Sequence, residues 1–258
     1  MSDLTGRVAI VTGAGRGIGR AIARVLAQQG MLVGANDVDP AQAEAAAEEL
    51  RQAGLGAVAL PASVSSKAEV CAMVARAEVV LGPLWLLVNN AGVFTSGASL
   101  DLSEEAWDRT FAVDAKGVFL CSQAALAVML PRRQGRIVNM GSIAGLIPRT
   151  AQIAYCAAKA AVIHFTRCLA VEVAPHGITV NCLCPGMTWT DMLSRSSEER
   201  GLDLDAMVEL IPAGRMASEE DHAHLIRYFA SDEAAHVTGQ VVAVDGAQSL
   251  YHPLMAKR

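Results

Sequence analysis

Tyr155 and Lys159 stand four residues apart in the stretch "AYCAAKAAVIHF", which is otherwise mostly small and apolar. Side chains at i and i+4 lie one above the other on a helix face, so a phenol and an ammonium share one face. A free phenol ionises near pH ~10 and is a poor base at neutrality. An ammonium about 4 Å away, at an effective dielectric of roughly 20, favours the phenolate by about 4 kcal/mol, or about three pKa units. That would bring the phenol into the range where proton transfer to and from a substrate is efficient. The pair is chemistry only if its face lines a cleft, so the elements around it must build one.

Those elements alternate along the chain. "RVAIV", "MLVGA", "AVALPA", "LWLLVN", "GRIVNM", "GITVNCLCP" and "GQVVAV" are short, largely apolar runs. They lack the apolar–polar alternation of half-buried strands, as expected for a parallel sheet covered by helices on both faces. Between them lie helical patterns. Ile18, Ile22, Val25 and Leu26 recur at helical spacing, "PAQAEAAAEELRQAG" starts near Pro40 and stops before Gly54, Ser66 to Leu81 is another, and the last runs from about Ile153 to Ala174. One doubly wound α/β domain over residues 1–258, built of right-handed βαβ units, follows. Residues 186–216 are too long for a plain connection and are expected to form a substrate loop, with Gly201 and Gly214 as hinges.

Composition limits the function. The 258 residues are 52% hydrophobic and 18% charged, which builds a core rather than a disordered chain. The net charge is −5, and no cluster of Lys and Arg suggests a nucleic-acid partner. The N-terminus has no basic stretch followed by an apolar one, and the longest apolar run, "VVLGPLWLLV", is broken by Gly82 and Pro83. A cytoplasmic protein without a membrane span is the expectation. The six cysteines form no CxxC pair and read as reduced, buried thiols. His222 and His224, two apart in a polar stretch, read as surface residues, and no metal site is expected.

The other end of the cleft is marked by "TGAGRGIG", between the first strand and the first helix. An α/β sheet binds a dinucleotide pyrophosphate there, with glycines letting the backbone approach and helix N–H groups pointing at the phosphates. The pattern is G-x-x-x-G-x-G, at Gly13, Gly17 and Gly19. Asp37 ends the second strand, where a carboxylate accepts both ribose hydroxyls of NAD and repels the 2′-phosphate of NADP. Arg16 is a counter-signal, since it could pair with that phosphate.

With these motifs in order, the chain resembles the short-chain dehydrogenase/reductase family in its single-domain form. The resemblance rests on TGxxxGxG at Thr12–Gly19, NNAG at Asn89–Gly92, Ser142 in "NMGS", YxxxK at Tyr155 and Lys159, "PG" at Pro185–Gly186, and Thr190. It implies a Rossmann-type fold of about seven strands, a nicotinamide cofactor, which Asp37 narrows to NAD, an alcohol or ketone substrate and a homo-tetramer or dimer. It also implies a cofactor site of Gly13, Arg16, Gly17, Ile18, Gly19, Asp37, Ser63, Val64, Asn90, Ala91, Gly92, Tyr155, Lys159, Pro185, Gly186, Thr188 and Thr190. Ser142 would hold the substrate oxygen against Tyr155, and Lys159 would also bind the nicotinamide ribose. Hydride would pass between the nicotinamide and the carbinol carbon.

Two positions depart from the family pattern. Ser63 stands where an aspartate near the adenine is usual. Asp114 stands where the fourth catalytic residue is an asparagine that holds a water reaching the lysine. The resemblance leaves open an NAD-dependent alcohol dehydrogenase or ketone reductase, and a cyclic dihydrodiol dehydrogenase, suggested by "PGMTWTDM". An NADPH-dependent 3-oxoacyl thioester reductase is opposed by Asp37. A non-catalytic cofactor-binding regulator is opposed by the complete Ser142, Tyr155 and Lys159. Phe94, Ile143, Leu146, Met187, Trp189 and Met192 are candidates for an apolar substrate pocket, whereas Arg149 and Arg195 could clamp a carboxylate but read rather as surface residues.

Overall fold

The seven apolar runs form the strands β1 (Val8–Val11), β2 (Leu32–Ala35), β3 (Ala57–Ala59), β4 (Leu84–Asn89), β5 (Gly135–Met140), β6 (Ile178–Pro185) and β7 (Val241–Val244). These come from a computed structural model that describes residues 3–190, 193, 197, 201 and 203–251. All seven pair in parallel in one sheet, of order β3-β2-β1-β4-β5-β6-β7. The helices are α1 (Gly17–Gln28), α2 (Pro40–Gln52), α3 (Lys67–Val80), α4 (Glu104–Phe111), α5 (Gly117–Arg132), α6 (Ile153–Val173), α7 (Leu204–Val208) and α8 (Glu219–Ala230). This is the Rossmann-type α/β fold.

Every residue of β1 and β5 is buried, because both faces of the sheet are covered. One core cluster joins the sheet to α1, α2 and α8 through Ile22, Leu26, Leu50, Ile226 and Phe229. The other joins it to α3, α5 and α6 through Val70, Met73, Leu126, Met129 and Leu169. Each fully buried Ile, Leu or Phe contributes about 1.5–3 kcal/mol relative to exposure. The strand order reverses between β1 and β4. Beyond the carboxyl ends of such a switch point the loops part and leave a crevice.

Helix α8 goes beyond the sequence expectation, which had its last helix ending near Ala174. Its polar start, "SEEDHAH", hides a capping box. The Ser218 hydroxyl accepts from Asp221 N–H, and the Asp221 carboxylate accepts from Ser218 N–H at 2.8 Å. Ala223, Ile226, Phe229 and Ala230 then make one buried face. His222 lies on that face and is fully buried, which corrects its reading as a surface residue.

Helices α4 and α5 are joined by a π-helical turn over Ala112–Lys116. The continuous stretches Glu104–Arg132 and Ile153–His176 are long and apolar enough to cross a bilayer, which the broken apolar run had not suggested. Here their buried faces pack on the sheet, as core helices do. In the 186–216 loop, residues 191, 192, 194–196, 198–200 and 202 lie outside the described residues. Its base is pinned: Trp189 N–H donates to Ala217 O at 3.1 Å, and Ala217 N–H donates to Met187 O at 2.9 Å.

Candidate active site

A cavity of about 590 Å³ occupies the crevice, and every predicted site residue lines it. At the β1 end the glycine loop is folded tightly. Gly13 adopts φ +63°, and a Cβ there would come within 2.9 Å of Ala91 Cα. Arg16, at the N-cap position of α1, makes no side-chain capping bond. Helix N–H groups under a glycine-rich loop fit an anionic group such as a pyrophosphate. Asn90 holds the loop rather than pointing away from it, donating to Thr12 O at 2.8 Å and Gly13 O at 3.1 Å. Thr12 returns its hydroxyl oxygen to Asn90 and Ala91 N–H at 2.9 and 3.0 Å. The NNAG and TG motifs are thus one clamp.

Two acids follow β2, and the structure separates them. Asp39 caps α2, accepting from Ala41 N–H at 2.9 Å. Asp37 accepts from Gly15 N–H at 3.2 Å and Asp39 N–H at 3.1 Å while lining the cavity. Ser63 and the buried Val64 line the same end. The Ser63 hydroxyl lies 2.9 Å from that of Ser65, and its N–H donates to Glu69.

At the β5 end Ser142 leads from the strand into a 3-10 turn, Ile143–Gly145, and its hydroxyl oxygen accepts from Ala144 N–H at 3.1 Å. Tyr155 and Lys159 rise from α6 beside it. The ring of Tyr155 meets the edge of Phe94, with centroids 5.3 Å apart. Lys159 is buried; its Nζ donates to Met140 O at 3.1 Å and lies 3.2 Å from Asp114 Oδ2. The other oxygen of Asp114 accepts from Val93 N–H at 2.8 Å. Asp114 is fully buried because the π-helical turn directs it inward, a frequent use of such turns. The sequence expectation placed a water between this position and the lysine; the carboxylate reaches the ammonium directly.

The electrostatics revise the opening arithmetic. Burial raises the Tyr155 phenol above its ordinary value; Lys159 and Ser142 pull it down, and Asp114 pushes it up again. The ammonium lies 5.6 Å from the centre of the Tyr155 ring, and Asp114 offsets part of its field. For Lys159, burial alone would lower the pKa, but Asp114 and Tyr155 outweigh it and the group is held high. The phenol is therefore held above its ordinary value, burial and Asp114 outweighing Lys159 and Ser142.

Across the cavity stand Pro185, Gly186, Thr188 and Thr190. Thr190 accepts from Leu193 N–H at 3.2 Å. Thr188 donates to Gly186 O at 3.0 Å and lies 2.8 Å from His222 Nε2. His222 thus supports the turn from behind, and burial holds its pKa down at about 4, so it is neutral. Of the substrate-pocket candidates, Phe94, Ile143 and Met187 line the cavity. Leu146 and Trp189 are exposed outside it, while Met192 and Arg195 lie outside the described residues. Arg149 was read as a surface residue but is half-buried and lines the cavity, as do Arg109, Gln152 and Met207. Among the described residues no cluster of His, Cys, Asp or Glu could hold a metal.

Comparison with known proteins shows which family this fold belongs to. A short chain dehydrogenase family model matches residues 7–201. The 2,3-dihydro-2,3-dihydroxybenzoate dehydrogenase of Bacillus subtilis (strain 168) is 39% identical over 254 residues, covering 96% of this chain and 97% of that protein. 2-(S)-hydroxypropyl-CoM dehydrogenase 3 of Xanthobacter autotrophicus (strain ATCC BAA-1158 / Py2) is 40% identical over 252 residues, covering 95% of this chain and 98% of that one. An actinorhodin polyketide ketoreductase solved with NADPH has a TM-score of 0.92 at 34% identity, covering 95% of this chain and 98% of the other. The chain belongs to the short-chain dehydrogenase/reductase family, oxidoreductases of alcohols and ketones that work with a nicotinamide cofactor.

Proposed function

We propose that this protein is an NAD(H)-dependent oxidoreductase that interconverts a secondary alcohol and a ketone. The convergence of Ser142, Tyr155 and Lys159 at one end of a cavity whose other end is closed by Asp37 carries this reading. When bound, the cofactor supplies the hydride acceptor or donor and, in its oxidised form, a positive charge near the phenol. Tyr155 takes the proton from the alcohol, or returns it to the ketone oxygen, through its phenolic oxygen. Ser142 donates a hydrogen bond to the same substrate oxygen and holds it in reach. Lys159 biases the phenol toward the phenolate and holds the nicotinamide ribose, while Asp114 fixes the ammonium.

Asp37 supports NAD over NADP, since its carboxylate opposes a 2′-phosphate; Arg16, and the NADPH held by the related ketoreductase, make cofactor choice the first measurement. The Bacillus subtilis relative makes a cyclic dihydrodiol the first substrate class to screen beside simple secondary alcohols. The exposed apolar side chains Phe119, Ile153 and Val171 on α5 and α6 support a homo-oligomer, and six free thiols suit a reducing, cytoplasmic setting. The test is Tyr155→Phe. Cofactor binding should survive while turnover drops about 10²–10⁴-fold. Near-normal turnover by this variant would place the proton transfer elsewhere.

A further inference from the structure

Among the described residues seven arginines each meet a carboxylate. Arg149 and Arg109, which line the cavity, meet none among the described residues. Arg149 is half-buried, and burial pulls its pKa below the ordinary value. Among the described residues no carboxylate offsets the cost of desolvating this cation. An anion arriving in the cavity would.

Both arginines flank the segment that covers Tyr155. Gly97 N–H donates to Ala151 O at 2.9 Å, which ties the stretch after Arg149 to the chain following Phe94. Thr95 and Thr110 hydroxyls lie 2.6 Å apart, which ties the helix turn that carries the exposed Arg109 to the chain following Phe94. Phe94 itself packs on the Tyr155 ring. This is not the adenosine end. Asp37 follows β2 and Ser142 follows β5, three strand spacings apart in the sheet, or about 14 Å. Arg16, not this pair, stands near the cofactor's adenosine end. Phe94 and Ile143 add apolar wall to the same cavity.

We propose that Arg149, with Arg109, forms an anion subsite, and that the substrate is a small secondary alcohol or ketone carrying a carboxylate or sulfonate. The planar fork of Arg149 suits the paired oxygens of either group, and the apolar wall suits the carbon frame between anion and carbinol. The subsite rests on the alcohol–ketone reading of the same cavity, so its test separates the two.

Benzoate, ethanesulfonate and neutral benzamide are titrated calorimetrically into the full chain saturated with NADH, or with NADPH where that binds more tightly. In parallel, oxidation of small hydroxy acids and hydroxy sulfonates is compared with that of their neutral methyl esters. The anions should bind at least about tenfold more tightly than benzamide, and Arg149→Ala should weaken them by about ten- to a hundredfold. Arg149→Lys should retain part of the affinity, keeping the charge but not the fork. Arg76→Gln, on the exposed face of α3, should change nothing. Unchanged cofactor affinity shows that each variant is folded. Equal binding of benzoate and benzamide, or anion binding indifferent to both Arg149 variants, overturns the subsite. Oxidation of neutral alcohols without any preference for anions overturns it too, while the dehydrogenase reading stands. Arg149-dependent anion binding without turnover of any alcohol upholds the subsite and overturns the dehydrogenase reading.

Discussion

Replacing Asp114 by Asn removes one negative charge from the catalytic end of the cavity while nearly keeping its shape. Lys159 Nζ lies 5.6 Å from the Tyr155 ring centroid. At an effective dielectric of about 20 this favours the phenolate by about 3 kcal/mol. The Asp114 carboxylate is 3.2 Å from the ammonium. If it lies on the far side, about 9 Å from the ring, it opposes the phenolate by about 1.8 kcal/mol, a little over one pKa unit. Water in the open cavity removes part of this, so Asp114→Asn should lower the phenol's apparent pKa by about 0.5–1 unit. In the pH profile of kcat/KM for alcohol oxidation, followed by NADH absorbance, the ascending limb should move to lower pH by that amount. The gain should be seen at neutral pH rather than on the alkaline plateau. The Asn amide has one oxygen where Asp114 uses two, for Val93 N–H and for Lys159, so cofactor affinity is measured alongside as the check that the ammonium is still held. An unmoved limb would mean that the carboxylate does not act on the phenol. A limb displaced to higher pH would mean that the unpaired, buried lysine has lost its proton, and the account of Asp114 as a brake on Tyr155 would fail.

Other outcomes follow from single contacts. Asp37→Ala removes about 1 kcal/mol of repulsion toward a 2′-phosphate, so the ratio of kcat/KM for NAD to that for NADP should fall about five- to tenfold; a constant ratio speaks against Asp37 as the selector. His222 is held at about 4 by burial, below the ~6.5 of an unfolded chain, so the unfolded state binds the proton first. Stability should therefore fall by up to about 3 kcal/mol as pH drops from about 6.5 to about 4, and His222→Gln should flatten that slope in urea titrations, where an unaltered slope would exclude His222 as its source. Ser218→Ala breaks the capping box of α8 and should cost about 1 kcal/mol in the same titration, with KM values unchanged.

How much of this could be read from the residues depends on how far each feature reaches along the chain. The strands were legible because burial on both faces writes itself as an uninterrupted apolar run. The glycine loop was legible because a tight turn between strand and helix restricts residue type locally. Tyr155 and Lys159 were legible because one helical turn separates them. Helix α8 was not, although Ser218 and Asp221 at capping spacing and the apolar Ala223, Ile226 and Phe229 carry its signal. A 12-residue helix that opens on three acids and two histidines has a low mean hydropathy. Once it is wound, His222 and Ala223 share its buried face, and the imidazole comes to stand behind Thr188. That contact joins residues 34 positions apart, and nothing in either local stretch announces it.

The same limit explains the catalytic end. An aspartate at position 114 was visible as a departure, but its consequence depends on a π-helical turn, the Val93 N–H and the roof formed by α6. Only the folded chain shows that Lys159 has two demands on one charge. Its ammonium must satisfy Asp114 at 3.2 Å and the Met140 carbonyl at 3.1 Å before it acts on the phenol at longer range. An ammonium balanced by a carboxylate presents a dipole to Tyr155, and a dipole's influence falls with distance faster than a single charge's. The phenol consequently stays above its ordinary value in the protein alone. A positively charged nicotinamide is then the partner that could tip it, so that the base would be made ready only when the hydride acceptor is in place.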